Sequence, residues 1–281
     1  MKRYSIKIIF ILFLGFICPG LASAEIDWQI EQTIKLDEKP VDMATSVKGT
    51  YLFALTDDGI VHAYDSDGNI KGEIYVGKHI DNIACGSKDN ILFVRSKKNK
   101  EIQRIVFDFI EVINTEGAPF KGNPDAPIVI SVFTDYQCPY CAKLPAVLDQ
   151  VIENNKGLVK LVSLNFPLPM HGFAKDAAAA ALTAYKMGKF WEYHEALYKN
   201  SRLLNNDKFL EIATDLGLDR VKFEQEMKSK EIRDKVSQEI REAQKVGATG
   251  TPTVFVNGRK LRNRSVEGFQ EVIDTLLNKQ K

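Results

Sequence analysis

The chain has 281 residues, with 44% hydrophobic and 27% charged side chains, which suits an ordinary soluble globular protein and leaves room for two domains. Thirty-eight basic residues face 37 acidic ones, and three of the basic ones, Lys2, Arg3 and Lys7, lie in the first ten positions. So even a mixture of signs gives no ground for a nucleic acid or an anionic membrane surface as partner.

Residues 1–24 read as a unit of their own. A positive start precedes the apolar run Ile8 to Cys18, broken only by Gly15. Pro19-Gly20 ends the run, and Ala22-Ser23-Ala24 supplies small residues for an export peptidase. This is the pattern of a secretory signal peptide cut after Ala24, and it predicts a periplasmic or otherwise exported protein. An uncleaved anchor would need about 20 apolar residues, more than the run offers. Bulky Phe16 and Ile17 argue against a lipid on Cys18. Cleavage leaves Cys85, Cys138 and Cys141, an odd number that in an oxidising compartment suggests one bridge and one free thiol.

Residues 25–108 read as a small all-β domain. Tyr51-Leu-Phe-Ala-Leu-Thr56, Ile60-Val-His-Ala-Tyr64 and Ile70 to Val76 are predicted strands, separated by turns at Asp57-Asp58-Gly59 and Ser66-Asp67-Gly68. Val41-Asp-Met-Ala and Tyr51-Leu-Phe-Ala are echoed by Ile80-Asp-Asn-Ile and Ile91-Leu-Phe-Val about forty residues on. That period suits two propeller-like blades. A small irregular β-sandwich is the other reading. Two blades cannot close a ring, so they must pack on the second domain, on each other or on a neighbouring chain, which leaves a homo-oligomer through this domain open.

The second domain is placed at 109–281. Phe109 to Ile113 could open it as a strand, and Glu116 to Pro127 reads as a Gly/Pro-rich loop. Ile128-Val-Ile-Ser-Val-Phe133 is a short, continuously apolar strand, as a buried one should be. Leu144, Val147, Leu148 and Val151 predict a helix from Pro139 to about Asn154, closed by Asn155-Lys156-Gly157. Leu158 to Leu164 returns to strand. A long helical stretch follows from about 173 to 246, its last helix carrying Ile232, Val236, Ile240 and Ala243 on one face. Thr253-Val-Phe-Val256 is a strand, Asn257-Gly258 a hairpin turn into Lys260-Leu261, and a final helix carries Phe269, Val272, Ile273, Leu276 and Leu277.

Cys138 and Cys141 sit where a predicted buried strand turns into a helix. A structural zinc site wants four ligands, and there is no second cysteine pair or suitably spaced histidine pair, so no metal is expected. A staple across two intervening residues would constrain little. The redox reading has a physical argument behind it. At a strand-to-helix junction the sulfur of Cys138 would face unpaired N–H groups and the positive end of the helix dipole, and both favour thiolate. Pro139 would stiffen the first turn. Cys141, one turn further in, would be buried, protonated and placed to resolve a mixed disulfide on Cys138. Thr251-Pro252, just before a strand, is consistent with a cis peptide in a tight loop.

Together Cys138-Pro139-Tyr140-Cys141, "FTDYQCPYC", "HGFAKDAAAAALTAYKMGKFWEYHEALY" and Gly250-Thr-Pro-Thr-Val-Phe-Val-Asn-Gly258 resemble the DsbA-type thiol:disulfide oxidoreductases of the thioredoxin superfamily, over roughly residues 109–281. The resemblance implies an α/β thioredoxin fold with an inserted helical domain, preceded here by the all-β domain. It implies catalytic Cys138 and Cys141 as a redox-active disulfide, Pro139 and Tyr140 tuning it, and Thr251 and Pro252 in a cis-Pro loop that pairs with an extended substrate. No cofactor is implied. The implied partners are secreted cysteine-containing proteins and a membrane redox partner, a quinone-linked oxidant or a thiol reductant.

Two departures stand out. Thioredoxins carry an acidic residue six positions before the first cysteine, where this chain has Val132, and Asp135 lies close to the strand end. The DsbA oxidases usually place Pro-His between the cysteines, whereas Tyr140 brings only a neutral hydroxyl, so a less oxidising couple is expected. Pro-Tyr also resembles the DsbC and DsbG isomerase and reductase branch, which carries an N-terminal dimerisation domain. A non-enzymatic alternative is a chaperone-like or scaffold binder whose cysteines are a locked staple. Tyr136 and Gln137 are read as rim residues, His171 as a capping or packing residue, His194 as surface or core, Phe190 and Trp191 as helix-face core, and Cys85 as a buried inert thiol.

Overall fold

The structure is a computed structural model that describes residues 27–278. The expected signal peptide and its cleavage site lie outside the described residues.

The N-terminal part is β-rich. Strands β1 (Pro40–Thr45), β2 (Tyr51–Thr56), β3 (Ile60–Asp65) and β4 (Ile70–Tyr75) form one antiparallel sheet in sequence order, and β5 (Asn82–Cys85), β6 (Ile91–Ser96) and β7 (Glu101–Val106) form a second. Alternation decides the faces: Phe53 and Leu55 of β2, Val61 of β3, Ile83 of β5 and Leu92 and Val94 of β6 point into one shared core. The echo in the sequence falls on β1–β2 and β5–β6. Asp42 of β1 joins the sheets, its Oδ2 accepting from the Ile83 N–H at 2.8 Å and from Asn82 Nδ2 at 2.5 Å. The Asp57-Asp58-Gly59 turn needs glycine twice over. Gly59 has φ +85°, and a Cβ there would meet the Gly77 carbonyl carbon at 2.5 Å.

The C-terminal part is a five-stranded mixed sheet. It contains β8 (Phe120–Gly122), β9 (Ile128–Thr134), β10 (Val159–Asn165), β11 (Thr253–Val256) and β12 (Arg259–Lys260), in the order β12-β11-β9-β10-β8. β9 and β10 are parallel, and β11 runs antiparallel to β9. β9 reads as unbroken apolar sequence because both its faces are covered. Ile128, Ile130 and Val132 pack with Leu144, Leu148 and Val151 of α1 (Leu144–Asn154) and with Phe269 and Ile273 of α7 (Val266–Asn278). On the other face Phe133, Val162, Leu164 and Phe255 meet Ala243 and Val246 at the end of α6 (Lys230–Lys245).

Between β10 and β11 run α2 (Ala174–Lys186), α3 (Phe190–Lys199), α4 (Asn206–Asp215), α5 (Arg220–Met227) and α6. The side chains of Asn205, Asp219 and Ser229 cap α4, α5 and α6 by accepting from Lys208, Lys222 and Ile232 N–H groups. Ala177 to Ala181 of α2 are all buried, and their small side chains let Tyr193, Phe209 and Phe223 close around them.

Three expectations need correcting. The helix expected from Pro139 begins at Leu144, after a 3-10 turn at Cys141–Lys143. Pro145 is the reason: it has no N–H to give the Cys141 carbonyl, which accepts from the Leu144 N–H instead. Part of the loop read at 116–127 is strand β8, an edge strand whose partner β10 is distant in sequence. The strand expected at Phe109 to Ile113 reduces to a single bridge between Ile110 and Arg259.

Candidate functional site

The cysteine turn sits at the carboxyl end of β9. The Cys138 N–H donates to the Asp135 carbonyl at 3.1 Å, and the Cys141 and Ala142 N–H groups both donate to the Cys138 carbonyl, at 3.1 and 3.2 Å. Those last two bonds correct the helix-dipole expectation. N–H groups expected to face the Cys138 sulfur are taken by its own carbonyl oxygen, and the α-helix starts only at Leu144. The thiol of Cys138 instead donates to the Thr251 carbonyl at 3.4 Å. The Thr251–Pro252 peptide is cis, so the loop before β11 does lie against the first cysteine. Pro139 and Tyr140 are exposed, Tyr140 at 70%.

Cys138 and Cys141 stand as free thiols, 4% and 1% exposed. Burial pushes the Cys141 thiol up to about 12. Donors gather round it all the same: the hydroxyls of Thr134 and Thr251 and the Asp135 N–H each favour its thiolate, while a charge on Cys138 would oppose it. Burial outweighs them in the dithiol form. Among the described residues the buried Thr251 hydroxyl has no hydrogen-bond partner, which leaves it free to turn toward Cys141 when that sulfur carries charge.

Behind Cys141 lies an aromatic wall. Tyr136 is 1% exposed, in the core and not on the rim as read from sequence, and its hydroxyl meets His194 Nδ1 at 2.9 Å. Burial holds the His194 imidazole down at about 3 and the Tyr136 phenol well above its usual value. Tyr198 packs tilted against Tyr136 and edge-on to His194, and bonds the Thr134 hydroxyl at 2.5 Å. Outside the wall is a cleft of about 390 Å³ lined by Pro145, Asp149, Trp191, His194 and Tyr198. Phe190 is buried, whereas Trp191 is part-exposed and donates from Nε1 to the Phe120 carbonyl at 3.1 Å.

The structure gives Asp135 and Gln137 partners that the sequence does not show. Asp135, one residue past β9, is a buried carboxylate, 1% exposed, and accepts from Gln137 N–H, Leu168 N–H and His171 Nδ1, each at 2.8 Å. Gln137 Oε1 accepts from Phe173 N–H at 2.6 Å. The signal available was an acidic residue at the end of an otherwise apolar strand, three positions before a cysteine. Cys85 lies apart, half-buried in the N-terminal sheets, its thiol raised by burial and by Asp89. Among the described residues no cluster of His, Cys, Asp and Glu could hold a metal.

Against known families, the one described as thioredoxin matches residues 114–275. The chain belongs to the thioredoxin family. It is 33% identical over 175 residues to a probable disulfide bond formation protein D of Bacillus cereus, covering 56% of this chain and 78% of that protein. It is also 30% identical over 157 residues to a Na(+)/H(+) antiporter NhaA of Salinispora tropica, covering 55% of this chain but 24% of the antiporter. The chain thus spans about a quarter of such antiporters' length. Among solved structures, a thioredoxin-like oxidoreductase from Silicibacter pomeroyi is 29% identical with a TM-score of 0.52, over 58% of this chain and 94% of that one. The α-DsbA1 of Wolbachia pipientis, 22% identical with a TM-score of 0.52 over 60% of this chain and 94% of its own, shares the fold. The resemblance to thiol:disulfide oxidoreductases read over roughly residues 109–281 agrees with the family match and with the disulfide bond formation protein of Bacillus cereus. No helix among the described residues is long and apolar enough to cross a membrane.

Proposed function

We propose that the protein is an exported thiol:disulfide oxidoreductase that exchanges disulfides with secreted proteins through Cys138 and Cys141, working as a dithiol oxidase. One observation carries the reading: the Cys138 thiol lies against the Thr251 carbonyl of the cis-Pro loop, with Cys141 buried beside it among thiolate-favouring donors. In the oxidised protein a substrate thiolate attacks Cys138 Sγ. The Cys138–Cys141 bond breaks, and Cys141 leaves as a thiolate received by the Thr134 and Thr251 hydroxyls and the Asp135 N–H before taking a proton. A second substrate thiolate then attacks the substrate sulfur of the mixed disulfide and releases Cys138. The substrate gains a disulfide, the protein holds two thiols, and a membrane redox partner takes the two electrons onward.

The Thr251 backbone offers the substrate a place to pair as an added strand, and exposed Tyr140 and Pro139 form the rim it meets. The N-terminal sheets, read as two blade-like meanders, would serve partner contact or self-association. A second reading, the isomerase or reductase, is favoured by Tyr140, which brings no cation to the thiols. Equilibration of the purified protein against a glutathione buffer separates the two. A midpoint near about −120 mV marks a disulfide donor, and one near or below about −200 mV marks a couple kept reduced. Cys141→Ser should trap substrates on Cys138 as mixed disulfides, and failure to capture any would sink the exchange mechanism.

A further inference from the structure

One buried carboxylate laces the cysteine turn to a loop over thirty residues away. Asp135 Oδ1 accepts from the Gln137 N–H within the turn at 2.8 Å. Its Oδ2 accepts from the Leu168 N–H and faces His171 Nδ1, both at 2.8 Å. Its backbone carbonyl takes the Cys138 N–H at 3.1 Å. A carboxylate removed from water is costly unless donors surround it. Here the donors come from two separate segments, so neither can move without leaving Asp135 short of a partner. An ionised carboxylate only accepts, so with Asp135 as the anion the donor of this contact is His171 Nδ1. The His171 side chain is 22% exposed, and it alone of the three donors can be replaced without touching backbone.

We infer that Asp135 and His171 form a positioning pair for the exchange reaction. Asp135 sets the turn that presents Cys138, and His171, by holding the carboxylate, locks the loop 168–171 against that turn. Met170, 78% exposed, lies between the two tied residues and is held with that loop. Exchange demands alignment of three sulfurs, so a loosened turn slows attack even when the thiols are unchanged. This inference rests on Cys138 being the attacked sulfur, as proposed above.

The test compares His171→Ala with His171→Asn, whose Nδ2 stands where the ring Nδ1 does. The rate of reaction of the oxidised full chain with a dithiol peptide is read beside the thermal unfolding midpoint. Loss of the donor should slow His171→Ala about tenfold, equivalent to about 1.4 kcal/mol, while His171→Asn stays within about twofold of the starting protein. In a double-mutant cycle, Asp135→Asn should already contain most of the His171→Ala effect, so the double variant is little slower than Asp135→Asn alone. Equal rates for all three single-site proteins at position 171 would overturn the inference, and so would equal slowing of both variants, which would assign the effect to the ring and not to its hydrogen bond. Independent, additive losses in the cycle would overturn it too. If Asp135→Asn does not fold, the Ala and Asn pair at 171 decides alone. A Cys138→Ser protein that still exchanges disulfides refutes the functional reading itself; unaffected His171 variants refute only the positioning pair.

Discussion

The burial of Cys141 makes a quantitative statement about its reactivity. A free thiol with pKa about 8.5 is roughly one quarter thiolate at pH 8, whereas one at about 12 is about one part in ten thousand. That alone is a deficit of about three orders of magnitude. A more basic thiolate is the better nucleophile, with a Brønsted slope of about 0.4–0.5, which returns about one and a half orders. The net expectation is alkylation slower by about a hundredfold, before any obstruction by Thr134, Leu144 or Tyr198 is counted. The experiment uses reduced Cys138→Ser protein, so that no disulfide can form and the small repulsion from Cys138 is gone; burial, the dominant cause, remains. Iodoacetamide labelling at Cys141, resolved by peptide mass from labelling at Cys85, is followed with time in native buffer and in denaturant. If native Cys141 reacts within about threefold of its unfolded rate, the thiol is not shielded as described, and its place as the leaving and resolving group fails with it.

Other outcomes follow from the same packing. The His194 imidazole is held neutral down to about 3, against about 6.5 when unfolded, so its contribution to stability is present above about 6.5 and lost as the pH falls toward 3. The full span is worth roughly 5 kcal/mol, and His194→Asn should flatten the acid limb of unfolding midpoints measured from pH 7 to 4. Glu239 Oε2 accepts from both the backbone and the side-chain amide of Asn165, at 2.9 and 2.7 Å; Glu239→Ala should cost about 2–4 kcal/mol in urea unfolding. Burial also raises its carboxyl, so its stabilising contribution is fullest at acid pH and declines as the pH rises; Glu239→Gln, which cannot ionise, should remove that slope. Gly258→Ala places a Cβ 2.3 Å from the Glu111 carbonyl oxygen at φ +77°; it should lower the thermal midpoint and quicken proteolysis around residues 109–113 while disulfide exchange persists.

What could be read from the chain was local. The β9 strand, the α1 periodicity, the Asp-Gly and Asn-Gly turns and the cysteine spacing all lie within windows of a few residues, where apolar period and turn chemistry act directly. Position 145 is legible too: a proline four residues after Cys141 denies that carbonyl its helical N–H and so moves the helix start to Leu144. What escaped was set by long-range partners. β8 exists because β10 offers an edge to Phe120–Gly122, and nothing in "FKG" announces that. Asp135 reads as a strand-end acid until Leu168 and His171 arrive from over thirty residues away. His194 gives no hint of its neutral state without Tyr136 and Tyr198 beside it.

Strand direction also places the N-terminal sheets. β9 runs toward the cysteine turn, and β11, antiparallel to it, starts with Thr253 opposite Phe133 and ends with Val256 opposite Ile130. The Asn257-Gly258 turn is therefore at the end of the sheet away from Cys138. There the chain from the N-terminal part arrives: Ile110 bridges Arg259, the Glu111 N–H donates to the Gly258 carbonyl at 2.9 Å, and Lys71 of β4 reaches Glu111 at 3.3 Å. The cleft between the two parts, about 460 Å³ and lined by Tyr51, Phe107, Phe109 and Lys260, opens at this same end. The β-rich part is thus anchored at the end of the sheet away from the cysteine turn.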